Sequence, residues 1–404
     1  MAWNIGANDV ANAMGTSVGS GALTLAGAVV IAGIFEFAGA TLVGSHVTET
    51  IRKGILEVSL FQPGSPLLGD DGPTILMLGM VAALLAAGVW LQIATSFGLP
   101  VSTTHSIVGA VIGFALVAVG KSAIAWDTVG TIAVSWVISP LLGGLIAASM
   151  FVFVTRYVLR SDRPIEATMR IGPHLIALVS FILVLSFIYK ALKNVVAEPT
   201  WWFVLLTATA TAAVGWVLGR AWLRSSRPGD PDDPFDYVER VFAKLQIVTA
   251  AFVAFAHGAN DVANAVAPVA AVVQVARYGN LPDEVPVPLW ILVLGGVGIV
   301  IGLATWGYKV IATVGRKITE LTPSRGFSAE FGAATTVLIA SRLGMPVSTT
   351  HTLVGAVIGV GLARGLAALD LRVVGKIVNS WLVTLPVGAA LSAFFFLILR
   401  AIFL

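Results

Sequence analysis

Cysteine is absent from the 404 residues. That excludes disulfides, thiolate metal sites and thiol nucleophiles, and it leaves the redox compartment unreadable. Charge is scarce too: Asp, Glu, Lys and Arg make up 11% of the chain, against roughly 25% in ordinary soluble domains. A water-soluble fold of this length needs more polar surface than that. The net charge is only +3 and no polybasic arm is present, so nothing points to nucleic acid. The chain has neither an HExxH nor a GxxxxGK[ST] pattern, which argues against a metalloprotease and a nucleotide-driven pump. An enzyme is not expected. No cleavable leader is visible, because the chain opens on a polar stretch, Asn4 to Asn12.

What the chain does have is hydrophobic length. Apolar residues make up 57% of it. Runs of about 20 apolar residues, enough to cross a hydrocarbon core of about 30 Å, recur along it. They are Leu23 to Ser45, Pro73 to Phe97, Thr128 to Val154, His174 to Lys190, Trp201 to Leu223, Leu289 to Val314 and Val373 to Leu399. These segments are too long and too uniformly apolar for barrel strands. The expectation is an all-α integral membrane protein with roughly 10–12 transmembrane helices, re-entrant hairpins among them.

Two motifs occur twice. GANDVANA stands at Gly6 to Ala13 and again, unchanged, at Gly258 to Ala265. GLPVSTTHSIVGAVIGFAL, Gly98 to Leu116, is matched by GMPVSTTHTLVGAVIGVGL, Gly344 to Leu362. A weaker match pairs Gly44 to Lys53 with Gly307 to Arg316. Such duplication is a plan of secondary transporters whose site forms between repeats, commonly inverted ones. It divides the chain into a first transport repeat (1–154), a central linker with two further spans and cytoplasmic loops (155–240), and a second repeat (241–404). Arg156, Arg160, Arg163 and Arg170 on one central loop, and Arg220, Arg224, Arg227, Arg240 and Lys244 on another, argue for the cytoplasmic side of a cell membrane. The second GANDVANA follows about 16 mostly apolar residues, Val241 to Ala256, and the first only five. A first helix that starts further upstream is therefore expected.

An acid in apolar surroundings costs roughly 2.5–3.5 kcal/mol on insertion scales, so function is its default reading. Asp9 lies between Asn8 and Asn12, and Asp261 between Asn260 and Asn264. With a helix break at the preceding glycine to free carbonyls, these residues form a hard-oxygen set suited to Na⁺. Capping and interhelical hydrogen bonds are the bland alternative. In PVSTTH, Pro100 and Pro346 are read as entering a helix, with Ser102, Thr103, Thr104 and Ser348, Thr349, Thr350 in its first turn. Hydroxyls beside unpaired N–H groups make an anion site. Gly109 and Gly113 permit close helix packing there. No Lys or Arg lies inside either motif, so cations at the Asp sites are expected to neutralise the anion. That ties the two sites into one coupled mechanism.

GANDVANA with PVSTTH, both duplicated, resembles the inorganic phosphate transporter (PiT) family, which includes sodium–phosphate symporters. The resemblance implies phosphate import by alternating access with Na⁺ as coupling ion, no other cofactor, and a possible homodimer. It maps Asn8, Asp9, Asn12, Asn260, Asp261 and Asn264 onto cation and phosphate sites, and the six Ser/Thr residues onto phosphate-binding turns. It also matches the family's membrane glutamates to Glu36 and Glu330, for which a structural hydrogen bond is the other reading. His105 and His351 are candidates for a proton relay, or for a neutral bond to a backbone carbonyl. Gln92 is a candidate to line the site. His46, His174 and His257 have no spacing that argues for a metal. Proton coupling, a metal–phosphate complex and sulfate remain alternatives on the same scaffold. A channel fits two repeats with buried acids less well.

Overall fold

The computed structural model describes residues 1–44, 55–188, 200–225, 233–280, 287–342 and 347–404. His46, the Arg52–Lys53 pair, Arg227, Asp230, Asp232 and Pro346 lie outside those residues. All regular structure among the described residues is helical, apart from isolated bridges such as Leu56 with Ile124.

The first repeat contains α1 (Ala2–Gly19), α2 (Leu25–Leu42), α3 (Gly72–Ser96), α4 (Thr103–Ala118) and α5 (Trp126–Val154). Two central helices follow, α6 (Pro164–Ser186) and α7 (Trp201–Ser225). Then come α8 (Pro234–Asp261), which starts within the stretch read as linker and carries the second GANDVANA, α9 (Ala263–Tyr278), α10 (Leu289–Trp306), the short α11 (Tyr308–Ala312), α12 (Pro323–Arg342), α13 (Thr349–Arg364) and α14 (Leu371–Phe403). Starts are marked by local chemistry. Thr24, Ser102, Ser348, Asp233 and Asp370 accept backbone N–H groups of the helices they precede.

Eight helical segments among the described residues are long and apolar enough to cross a membrane. Besides the short α11, four helices among the described residues fall outside that set: α1, α4, α12 and α13. Each of the four carries polar residues of the site described below, and α4 and α13 are also short, at 16 residues each. Outward faces are apolar, with Leu42, Leu206 and Leu382 each about 70% exposed. A surface of that kind fits lipid and not water. The chain is a multi-pass membrane protein.

The two repeats interlock. Gly6 of α1 lies against the backbone of Ile299 in α10, and its counterpart Gly258 of α8 lies against the backbone of Glu36 in α2. Gly109 and Gly113 of α4 lie on Leu385 and Ala389 of α14, while Gly355 and Gly359 of α13 lie on Pro140 and Gly144 of α5. At each of these positions a Cβ would overlap the facing backbone. Every helix carrying a motif thus packs on a helix of the other repeat. The central pair α6 and α7 packs on itself, with Gly215 against Ser180 and Gly219 against Ile176. It joins the rest through an apolar cluster that includes Leu175, Val179, Phe242 and Phe327.

Two local expectations are corrected. α1 runs unbroken through Gly6, so no carbonyls are freed there, and the glycine serves close packing instead. In the second copy the discontinuity falls at Val262, after the aspartate and not at Gly258. Pro100 is not the first helical residue either. α4 begins at Thr103 with Ser102 as its cap, which leaves Pro100 in the entering loop.

Candidate functional site

The two GANDVANA segments and the two hydroxyl-bearing helix starts meet in the protein interior. Thr103 donates to Asp9 Oδ2 at 2.7 Å, and Thr350, from the other repeat, donates to Asp9 Oδ1 at 3.2 Å. Thr349 donates to Asp261 Oδ2 at 3.4 Å, and Asn260 Nδ2 to Asp261 Oδ1 at 2.6 Å. Asn12 donates to Asp9 at 3.2 Å and to Thr350 at 2.8 Å. Asn264 reaches the Thr103 and Thr104 hydroxyls at 3.4 and 3.3 Å. The acid motif and the hydroxyl motif therefore form one network, not two neighbouring sites. Asn12 Oδ1 is buried with no hydrogen-bond partner, so one amide oxygen stands available in the network.

Ser102 and Ser348 occupy a different place. Each accepts the backbone N–H three residues ahead, of His105 and His351, at 3.2 Å. They cap the two helices and hold the threonines in register. Asn8 also acts on backbone: it donates to Thr95 and to the Leu99 carbonyl and accepts from Val101 N–H, at 3.0, 3.0 and 3.1 Å. It fastens the loop that leads into α4.

One residue of the centre carries no motif signal. His257, directly before the second GANDVANA, places Nε2 at 2.9 Å from Asp261 and 3.7 Å from Asp9, with Nδ1 at 3.2 Å from Glu36. All four side chains are buried. Ligand atoms of Asp9, His257 and Asp261 lie within 4.8 Å of one another, close enough to share a metal ion. The reading that His257 lacks a ligand spacing is thereby corrected. His257 and Asp261 are four apart and face the same way on α8, which is the signal that finds it. Three carboxylates around one imidazole leave an acidic excess that cations or protons must balance.

Glu330 stands apart from the aspartates in its own cage. Thr16 and Ser17 donate to its Oε1 at 2.6 and 2.9 Å, Gln246 at 3.1 Å, and Thr249 to its Oε2. Ser20 donates in turn to Gln246 at 2.8 Å. A cavity lined by Asn12, His257, Glu330 and Thr349 joins the cage to the aspartate network. The stretch Gly15 to Gly19 has the GxSxG spacing of hydrolases. It lies inside helix α1, not at a strand-to-helix turn, and Ser17 is spent on Glu330.

Neither His105 nor His351 forms an ion pair with an acid among the described residues; the two rings meet edge to face, His105 lies against Trp136, and His351 stacks on Trp381. Gln92 is half-buried on α3, and its backbone carbonyl accepts from the Ser96 hydroxyl. No bond of the network above uses its side chain. His174 lies on α6, bonded to the Arg170 carbonyl.

Comparison with known proteins places this geometry. The profile of the phosphate transporter family matches residues 5–392. A protein of Pyrococcus abyssi named "Putative phosphate permease" is 48% identical over 399 residues, covering 99% of this chain and 95% of its own. One of the same name from Haemophilus influenzae is 44% identical over 406 residues, covering 100% and 95%. A solved structure, the sodium-dependent phosphate transporter, superposes with a TM-score of 0.88 at 46% identity, covering 100% of this chain and 96% of that one.

Proposed function

As the chain belongs to the phosphate transporter family, we propose that it carries inorganic phosphate across the cytoplasmic membrane by alternating access, driven by Na⁺. The carrying observation is that Asp9 accepts a hydroxyl from each repeat, Thr103 and Thr350. A threonine has one donor hydrogen and two acceptor lone pairs. While that hydrogen points at a carboxylate it is unavailable to phosphate. Na⁺ at the carboxylate takes over the neutralising role, binds hydroxyl oxygen by a lone pair, and turns the hydrogen outward. A phosphate anion then meets donors where it previously met negative charge. Cation and anion binding are coupled through shared side chains.

Asp9, Asn12, Asp261 and Asn264 are the cation ligands of this reading, with the unpartnered Asn12 oxygen among them. Thr103, Thr104, Thr349 and Thr350 supply phosphate donors, together with the helix starts that Ser102 and Ser348 cap. Asn8 and Asn260 act from the edge, one on the loop before α4 and one on Asp261. Residues 1–154 and 241–404 work as two inverted repeats around the shared site. Their interlocked packing makes movement of one the counter-movement of the other.

His257 between Glu36 and Asp261 favours a second reading, in which a proton replaces one cation. Uptake of radiolabelled phosphate into proteoliposomes separates the two. Accumulation under an inward sodium gradient alone supports the first. Accumulation under a proton gradient alone supports the second. No accumulation under either sinks both.

A further inference from the structure

Four aromatic rings run across the join between the repeats. Trp136 of α5 lies 4.5 Å from His105 of α4, His105 lies 4.6 Å from His351 of α13, and His351 lies 3.9 Å from Trp381 of α14, centroid to centroid. The last pair is stacked, with planes 23° apart, and the two histidines meet edge to face at 84°. Both histidines are buried.

The placement of this column matters more than its chemistry. α4 is locked to α14 by Gly109 and Gly113, and α13 to α5 by Gly355 and Gly359. Each glycine-packed pair is a close and stiff unit. The column links one unit to the other, because Trp136 and His351 belong to the α5–α13 pair while His105 and Trp381 belong to α4–α14. Both histidines sit one or two residues beyond the threonines that face the acids, on the first turn of their helices. Trp381 adds a second hold, donating Nε1 to the Pro100 carbonyl at 2.9 Å in the loop that enters α4.

We infer that the Trp136–His105–His351–Trp381 column is a positioning device that sets the distance between the two hydroxyl-bearing helix starts, and with it the affinity for phosphate. The histidines act by shape and stacking, not by carrying protons. The imidazole–carboxylate contacts of the site belong to His257 and not to His105 or His351. The inference rests on the phosphate-transport reading above.

The test is sodium-driven phosphate uptake by proteoliposomes of the wild type, H351A, H351F and W381F, over a range of phosphate concentration and pH. H351A removes one ring, and W381F keeps a ring but removes the bond to Pro100. Each is expected to raise the phosphate KM at least about fivefold while kcat changes less than about twofold. H351F restores the ring without a titrating group and is expected to keep a KM within about twofold of wild type and the same pH profile. Wild-type KM in both H351A and W381F overturns the inference. So does an H351F protein that matches H351A or changes the pH profile. Should H351A fail to fold, W381F decides alone. Absence of wild-type uptake overturns the transport reading and this inference with it, whereas wild-type uptake with unaltered variants overturns the inference only.

Discussion

The imidazole of His257 stands 3.2 Å from the carboxylate of Glu36, so a residue of the second repeat holds an acid of the first. The same ring lies 2.9 Å from Asp261 through its other nitrogen. Gly258 makes this possible, because α8 and α2 approach until only a hydrogen fits between their backbones. Close packing and charge pairing are thus two aspects of one contact.

That pairing predicts non-additive mutations. Breaking a buried charged contact by removing one partner leaves the other uncompensated. Glu36→Gln and His257→Gln are each expected to lower phosphate uptake at least about tenfold. The double variant is expected to lose much less than the product of the two, because residues in one network couple by about 0.5–3 kcal/mol. Initial uptake rates of the four proteins close the cycle. Losses that simply multiply would show that Glu36 and His257 act independently.

The shared network also separates cation from anion residues by kinetics. Asp9→Asn removes charge from the cation ligand set but leaves every hydroxyl in place. It is expected to raise the half-saturating sodium concentration at least about tenfold and to weaken phosphate binding through it. Thr350→Val deletes a donor and is expected to raise the phosphate KM by about tenfold, the usual scale for a hydrogen bond to a charged group. Its sodium dependence at saturating phosphate is expected to change much less. Two-substrate uptake kinetics provide the check. The coupling account fails if Asp9→Asn leaves sodium dependence intact.

The repeats and their polar motifs are legible in the sequence because GANDVANA and PVSTTH are strings of identical residues. In the structure the motifs converge, Thr103 and Thr350 both donating to Asp9 and Thr349 to Asp261. What escapes the sequence depends on neighbouring helices. His257 has Ile5 at the corresponding place in the first copy, so no repeat marks it, and its partner Glu36 lies far away in sequence on α2. Asn8 reads as a ligand by its place in the motif, yet packing gives it the loop before α4 to hold. Gly6 and Gly258 suggest broken helices by residue type. Their real use, contact with Ile299 and Glu36, is visible only once the other repeat is in position.

Interlocking through glycine is open to a stability test with an internal control. Gly258→Ala places a methyl against the Glu36 backbone, and Gly355→Ala places one against Pro140. Each is expected to cost about 1–3 kcal/mol, as overpacking does in cores. Gly375 of α14 is also helical, but a Cβ there meets nothing within 4 Å. Gly375→Ala is expected to be neutral or to stabilise by up to about 1 kcal/mol, since alanine favours helix over glycine. Thermal unfolding of the detergent-purified proteins measures all three. Equal midpoints for Gly258→Ala and Gly375→Ala would contradict the packing described.

Glu330 is held differently from the aspartates, and its substitution should read differently. Four side chains converge on it: Thr16 and Ser17 from α1, and Gln246 and Thr249 from α8. Those two helices also carry the aspartates, Asp9 about two turns before Thr16 and Ser17 on α1 and Asp261 about three to four turns after Gln246 and Thr249 on α8, at 3.6 residues per turn. The cage therefore ties the two acid-bearing helices together through α12. Glu330→Gln replaces a carboxylate oxygen with an amide that donates, so at least one of the four donors loses its acceptor. Uptake is expected to fall at least about tenfold through kcat, with the phosphate KM changed less than about threefold. Thr249→Val removes a single donor and keeps the charge, and a milder fall in kcat is expected from it. A Glu330→Gln protein that instead loses phosphate affinity while keeping its turnover would mean that the glutamate belongs to the binding network, and that the cavity between them is part of the substrate site.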